Sequence, residues 1–277
     1  MVRRISLATL ACPAFLACGL AQEPAKNEKP ELEIRILFDN TAANKDYLRS
    51  WGFSALIDFR GKRILFDSGG DPILLLEHME KMKIDPKSID EAFISHHHDD
   101  HRRGIYWVFE KNPKMKVHFL DTFGIEAFKA ADQVKMKPNR VKEAFELMPG
   151  VYSTGPIDGL PPEQALLLET SQGLVMLVGC SHPGIVKMVE AAQKQRNKDS
   201  IRMLVGGFHL LKSEPEDIRK VVQRLDELKV KVVVPAHCTG DLATDMLKST
   251  FGNYTAGAGR WIVMDGKSLE FRTVPLK

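Results

Sequence analysis

Four apolar runs in this chain each end in histidine: AFISHHH through His96 to His98, LVMLVGCSH at His182, IRMLVGGFH at His209 and VKVVVPAH at His237. Short runs rich in Val, Ile, Leu and Phe, bounded by Gly, Ser or Pro, predict buried β-strands. With His101 just beyond the first of them, seven of the nine histidines belong to these four strand ends. Strands of one sheet that finish on the same edge deliver their last side chains to a common point, which residues scattered along helices cannot do. The chain is therefore expected to gather its strand ends into a site.

The first strand end continues as FISHHHDDHRRGI, with four histidines and two aspartates in the six positions from His96 to His101. Such a run contributes nothing to core packing. His96 and His98, two apart, face the same way on extended chain, and Asp100 and His101 follow on the turn beyond. A lone histidine after a strand is usually a surface or hydrogen-bonded residue, so it is the concentration that points to a metal. Zinc and similar divalent cations take imidazole nitrogen with some carboxylate oxygen, three or four ligands to an ion. The expected cofactor is a divalent metal, zinc first and iron or manganese as alternatives, as one ion or two. Cys180 and Cys238 each lie beside one of these histidines, either as auxiliary soft ligands or as small buried residues.

The remaining sequence alternates short β-branched runs with segments of helical period, the grammar of an α/β protein. GKRILFDSGG reads as a strand ending in a turn and DPILLLEHMEKMK as a helix of about three turns. Ser213 and Glu216 have the spacing of a capping box, followed by Ile218, Val221, Val222, Leu225 and Leu228 along one helical face. Residues 123–149 are Lys-rich, of helical character and without a chemical motif, and are expected to be a surface excursion. At 277 residues, 44% hydrophobic and 27% charged, the chain can bury a sizeable core.

Residues 1–21 follow a different rule: Arg3 and Arg4, then the apolar ISLATLACPAFLACGL, then small residues up to Ala21. That order predicts a secretory signal peptide, residues 22–32 then forming a flexible leader and residues 33–277 the domain. A periplasmic or extracellular location follows, with no integral membrane segment after removal. Cys18 offers a lipid-anchored variant. Removal takes away two arginines, so the net charge falls from +3 to +1. A near-neutral protein gives no reason to expect nucleic acid as a partner; a small-molecule substrate is expected instead.

Ser95-His96-His97-His98-Asp99-Asp100-His101 resembles the H-x-H-x-D-H signature of the metallo-β-lactamase-fold superfamily, and Leu65-Phe66-Asp67-Ser68-Gly69 its upstream turn. The runs ILFDNTAANKDYLRSWGFSALID, GCSHPGI, GGFHL and PAHCTG are similar to the branch that holds the dihydropterin ribofuranosylaminobenzene phosphate synthases. The resemblance implies an αββα sandwich with the metal site at one edge of two sheets. Carried over by position, it implies that His96, His98 and His182 hold one metal and Asp100, His101 and His237 a second. Asp67 would stand behind the ligands and orient one of them.

Three departures bear on function. Many superfamily hydrolases place a carboxylate between the two ions, where this chain has His209, which would then ligate one metal or contact substrate. Arg102 and Arg103 replace small residues and would suit an anionic substrate group. Export does not fit cytosolic pterin-cofactor assembly. The expected activity is hydrolysis of an ester, lactone or phosphoester by metal-activated water, with Asp100 orienting the water and His237 or His209 serving the leaving group. The alternatives are a synthase or transferase using the same metals, and a metal-dependent binding protein without turnover. The superfamily name does not carry β-lactam cleavage with it.

Overall fold

The computed structural model describes residues 29–275, so the expected signal peptide, Cys18 and residues 22–28 of the leader lie outside the described residues. Leu32 is already buried in the first strand, and the Glu31 carboxylate accepts from the Ser171 amide and hydroxyl. The first strand opens at Leu32, one residue before the expected domain start at 33. Among the described residues no helix is long and apolar enough to cross a membrane.

The chain first lays down β1 (Leu32–Phe38), β2 (Ser54–Phe59), β3 (Lys62–Phe66), β4 (Glu91–Phe93), β5 (Lys116–Leu120) and β6 (Asn139–Val141). It then crosses to β7 (Phe145–Met148), β8 (Val151–Ser153), β9 (Leu166–Thr170), β10 (Gly173–Val178), β11 (Met203–Gly207) and β12 (Val233–Ala236), and returns for β13 (Arg260–Asp265) and β14 (Ser268–Thr273). One sheet has the order β14-β13-β1-β2-β3-β4-β5-β6, the other β12-β11-β10-β9-β8-β7.

Side-chain alternation along the strands explains why the sheets stack. Ala55, Ile57 and Phe59 of β2 meet Val175 and Leu177 of β10 in the layer between the sheets, while Leu56 and Met176 point outward. Both outer faces are apolar as well, so each needs a cover of helices. Helices α1 (Pro72–Lys81), α2 (Asp99–Arg102), α3 (Ile105–Lys111) and α4 (Ile125–Gln133) follow strands of the first sheet. Of these α1, α3 and α4 bury Leu75, Met79, Ile105, Val108 and Ala131 against it. Helices α5 (Ile185–Arg196), α6 (Pro215–Glu227) and α7 (Asp241–Phe251) cover the second sheet with Met188, Val189, Ile218, Leu225 and Leu247. The result is the αββα sandwich.

Two expectations are corrected. Residues 123–149 are not a surface excursion: they contain α4 and the three-residue β6 and four-residue β7, which edge the first and second sheets respectively. Ser213 does not cap α6; Glu214 occupies the cap without a side-chain hydrogen bond and Pro215 opens the helix. By contrast α1 starts as expected, with the Asp71 carboxylate accepting from the amides of Ile73 and Leu74.

Strands β3, β4 and β5 run parallel, as do β10, β11 and β12. Parallel strands joined by crossovers end on the same side. The four histidine-bearing ends therefore converge, but across two sheets rather than within one: β4 belongs to the first sheet and the other three to the second.

Candidate metal centre

Just beyond these strand ends the backbone enters a region that side chains other than glycine seldom occupy. Asp67 after β3, Ser181 after β10, His209 after β11 and His237 after β12 have φ of 52, 62, 55 and 47°. Each such residue costs about 1–3 kcal/mol, and strain of this kind concentrates where side chains must be aimed. Here it turns the chain sharply at the sheet edge.

The aimed side chains form two adjacent trios. The rings of His96, His98 and His182 stand at the corners of a nearly equilateral triangle, with centroids 4.8, 4.7 and 4.7 Å apart. In the second trio the Asp100 carboxylate oxygen lies 3.3 Å from His237 Nε2 and 3.7 Å from His101 Nε2. Nitrogen and oxygen donors at 2.0–2.2 Å from one tetrahedral ion stand about 3.4 Å apart, so this spacing suits a shared cation.

Hydrogen bonding fixes which ring nitrogen is free. Asp67 accepts from the Ser95 amide at 2.7 Å, from the Ser95 hydroxyl at 2.8 Å and from His101 Nδ1 at 2.7 Å. The Ser95 hydroxyl, having donated to Asp67, accepts from His96 Nδ1 at 2.9 Å. Asn40 Oδ1 accepts from the Gly52 amide and from His237 Nδ1. With Nδ1 carrying the proton in all three rings, each presents an Nε2 lone pair to the cluster. His96 Nε2, His182 Nε2 and His237 Nε2 are buried without a hydrogen-bond partner. Buried polar nitrogens are normally satisfied, so these three point to a cation between them.

The electrostatics agree. Burial pushes His101 and His182 down to about 3, and neighbouring imidazoles add to the effect, keeping both rings neutral and able to donate. Burial pushes Asp100 up, but the close approach of His237, with His101 beside it, outweighs this and holds the carboxylate ionised, below its ordinary value. Burial raises Asp67 well above the usual carboxylate range, opposed by the two Ser95 donors.

Three further residues, to which the sequence reading assigned no role, support the centre. Glu163, fully buried, accepts from the amides of Gly179, Cys180 and His182 at 2.8, 3.0 and 3.0 Å and so shapes the turn that carries His182. Asp39 accepts from the His237 amide at 2.7 Å, and Asn40 holds that residue from both its ring and its carbonyl. Asp39 and Asn40 lie in the ILFDNTAANK run and were in that sense visible. Glu163 follows Pro161 and Pro162 and looks like any acid in a turn.

The other candidates separate. His209 is exposed, its ring centroid 4.5 Å from that of His182, on the open side of the first trio. Cys180 and Cys238 are buried, free thiols rather than a disulfide, and Cys180 Sγ lies 3.1 Å from His101 Nε2. Of the arginine pair, Arg102 is already bonded within its own segment, to Asp99 at 2.6 Å, the His97 carbonyl at 2.6 Å and the Tyr106 hydroxyl at 2.7 Å. Exposed Arg103 lines a hollow with Tyr106, Trp107 and Glu126. A different hollow of about 740 Å³ shares His237 with the site and is lined by Trp51, by Arg49, Lys248 and Arg260, and by Asp39, Asp241 and Asp245.

Comparison with known proteins is consistent with this geometry. The family model described as the metallo-beta-lactamase superfamily matches residues 52–194. The 7,8-dihydropterin-6-methyl-4-(beta-D-ribofuranosyl)-aminobenzene-5'-phosphate synthase of Methanocaldococcus jannaschii is 30% identical, over 77% of this chain and 89% of its own length. The crystal structure of a metal-dependent hydrolase of the beta-lactamase superfamily superposes with a TM-score of 0.71 at 27% identity, covering 85% of this chain and 100% of that one. The metallo-beta-lactamase fold protein YhfI of Bacillus subtilis, at 11% identity and TM-score 0.61 over 83% of this chain and 98% of its own, shares the fold. With the signature residues gathered at the sheet edge and the match spanning more than half the sequence, this chain belongs to the metallo-beta-lactamase superfamily.

Proposed function

We propose that the protein is an exported hydrolase that holds two divalent cations, zinc foremost, and cleaves an ester, lactone or phosphoester bearing an anionic group. The observation that carries the reading is the pair of adjacent donor trios with three buried, unpartnered Nε2 atoms aimed inward. His96, His98 and His182 would hold one ion and Asp100, His101 and His237 the other. A bound divalent cation supplies Lewis acidity, bringing the pKa of water down to about 7 and polarising the oxygen under attack.

The chain's own residues supply the rest. Asp67 and Ser95 lock the rings of His101 and His96, so that neither ligand has to reorient during turnover. Asp100 directs its charge into the centre. His237 has Nδ1 committed to Asn40 and Nε2 aimed into the second trio beside Asp100, so as a metal ligand it would keep no nitrogen for proton transfer. His209 is exposed, and contact with Cys238 raises its pKa despite its partial burial, so it carries the proton for a leaving group.

An anionic substrate is supported by Arg260. Its Nε is buried without a partner, it forms no ion pair among the described residues, and it lines the hollow that continues from His237 and the half-exposed Trp51. A phosphate or carboxylate placed there satisfies the guanidinium. Export rests on the order of charged, apolar and small residues in 1–21.

A synthase is the second reading, favoured by the name of the 30% identical relative. The two separate in one experiment. Turnover of phosphodiester, ester or lactone panels that disappears with chelator, returns with zinc and is absent in His96→Ala supports the hydrolase. Turnover only with a pterin and a phosphorylated second substrate supports the synthase.

A further inference from the structure

We propose that the Cys180 thiolate is itself a metal ligand, placed between the two trios as an anionic donor to the centre; this rests on the reading that the trios hold divalent cations. Cys180 Sγ is grouped with His96 and His101, one histidine from each trio, and separately with His182 and His209, and with His237 and Cys238, all donor atoms within 4.8 Å in each group. It is the sulfur at the middle of the cluster, not at its rim.

The separation from His101 is a second indication. A nitrogen at about 2.05 Å and a sulfur at about 2.3 Å from one ion stand about 3.1 Å apart at a right-angled bite and about 3.6 Å at a tetrahedral one. The observed 3.1 Å lies within that span.

Local structure holds the thiol in this place. Glu163 accepts from the amides on both sides of and at Cys180, so one buried carboxylate aims Cys180 and His182 together. Glycine is required around it: a Cβ on Gly179 would collide with the Ser95 hydroxyl, and one on Gly207 would sit 2.6 Å from the Gly179 carbonyl and 2.8 Å from Cys238 Sγ. The sulfur is buried, so its position is not a matter of solvent exposure.

Charge gives the reason. Two divalent cations would bring four positive charges, against which the ligands of the two trios, five neutral imidazoles and the Asp100 carboxylate, offer one negative charge, and Asp67 behind His101 a second. His209, at the end of β11, adds none. In a buried site an excess of positive charge is costly, and a Cys180 thiolate near both trios would lower it. Ligation breaks the Cys180 S–H bond and forms a sulfur–metal bond. The proton leaves to solvent and no electron is transferred. Cys238 differs in role, since its Sγ donates to the Cys180 carbonyl at 3.7 Å.

The test is zinc-edge X-ray absorption on the full mature protein, with zinc per chain measured on the same sample. One sulfur scatterer per chain at about 2.3 Å, beside nitrogen and oxygen at about 2.0–2.1 Å, is expected. The sulfur shell should vanish in Cys180→Ser and persist in Cys238→Ser. Bound zinc with only nitrogen and oxygen neighbours overturns the inference and leaves the metal reading standing, whereas a protein that binds no zinc overturns the metal reading. A sulfur shell lost in Cys238→Ser and kept in Cys180→Ser, or a Cys180 to Cys238 disulfide in the zinc-loaded protein, also overturns it. The wild-type spectrum decides against the inference without any variant. If Cys180→Ser does not fold, zinc-dependent protection of Cys180 from alkylation, read by mass spectrometry, replaces it.

Discussion

The two trios differ in how tightly they are held. In the second, His101 is fully buried and braced by Asp67, His237 is braced by Asp39 and Asn40, and the Asp67-Ser68 turn grips the His101 carbonyl as well as its ring. In the first, only His96 is fully buried, while His98 and His182 are partly open and exposed His209 lies alongside. A set whose histidines are both buried and braced suits an ion that stays; a set with two partly open histidines suits an ion that meets substrate. The comparison assigns holding to one side of the centre and exchange to the other.

The largest way to break that division is His101→Ala. It should empty the second trio and lower kcat/KM by about three orders of magnitude, because a Lewis-acid contribution is worth several kcal/mol. Metal analysis alongside kinetics checks both. Equal retention of metal by His101→Ala and His182→Ala would erase the contrast between the trios.

Asp67→Asn acts one step behind. It keeps the shape but removes the charge that fixes His101 Nδ1–H, and should weaken metal at the second trio by about 10- to 100-fold, read by chelator competition. Glu163→Gln should act on the first trio instead. One carbonyl oxygen cannot replace a carboxylate facing three amides, and the loss of stability should be about 1–3 kcal/mol by denaturant unfolding of the metal-free protein.

Arg260→Ala touches neither trio. It should raise KM for anionic substrates by about tenfold, the scale of one charge-assisted hydrogen bond, and leave neutral esters unaffected. An equal effect on both would move the anion site elsewhere.

A further effect is on pH dependence without metal. His101 is pushed from an ordinary 6.5 to about 3 by burial, so the unfolded chain takes up its proton first as pH falls. The stability contributed by its neutral form is complete above about pH 6.5 and is lost progressively toward pH 3. Denaturant midpoints of chelated protein at pH 7.5 and 5 should differ in that direction, and less so in His101→Asn.

Much of the centre was legible because its residues carry their own context. His96, His182 and His237 each close an apolar run, and the stretch His96 to His101 is too polar for any packing role. The support is harder to read. Glu163 acts on residues 16 to 19 positions away through backbone amides, which are the same for every residue type. Arg102 was misjudged because its partners Asp99 and Tyr106, three and four positions away on α2 and α3, absorb the charge that the sequence offered to a substrate. Strands β6 and β7, of three and four residues, are too short to show a period of two, and surrounding lysines disguised them.

The central claim is that both trios are cation sites. Elemental mass spectrometry on the untagged protein, purified without added metal and without chelator, tests it most directly. The account predicts two divalent ions per chain, mainly zinc, falling to one in His101→Ala. One ion or none in the wild-type protein would contradict it.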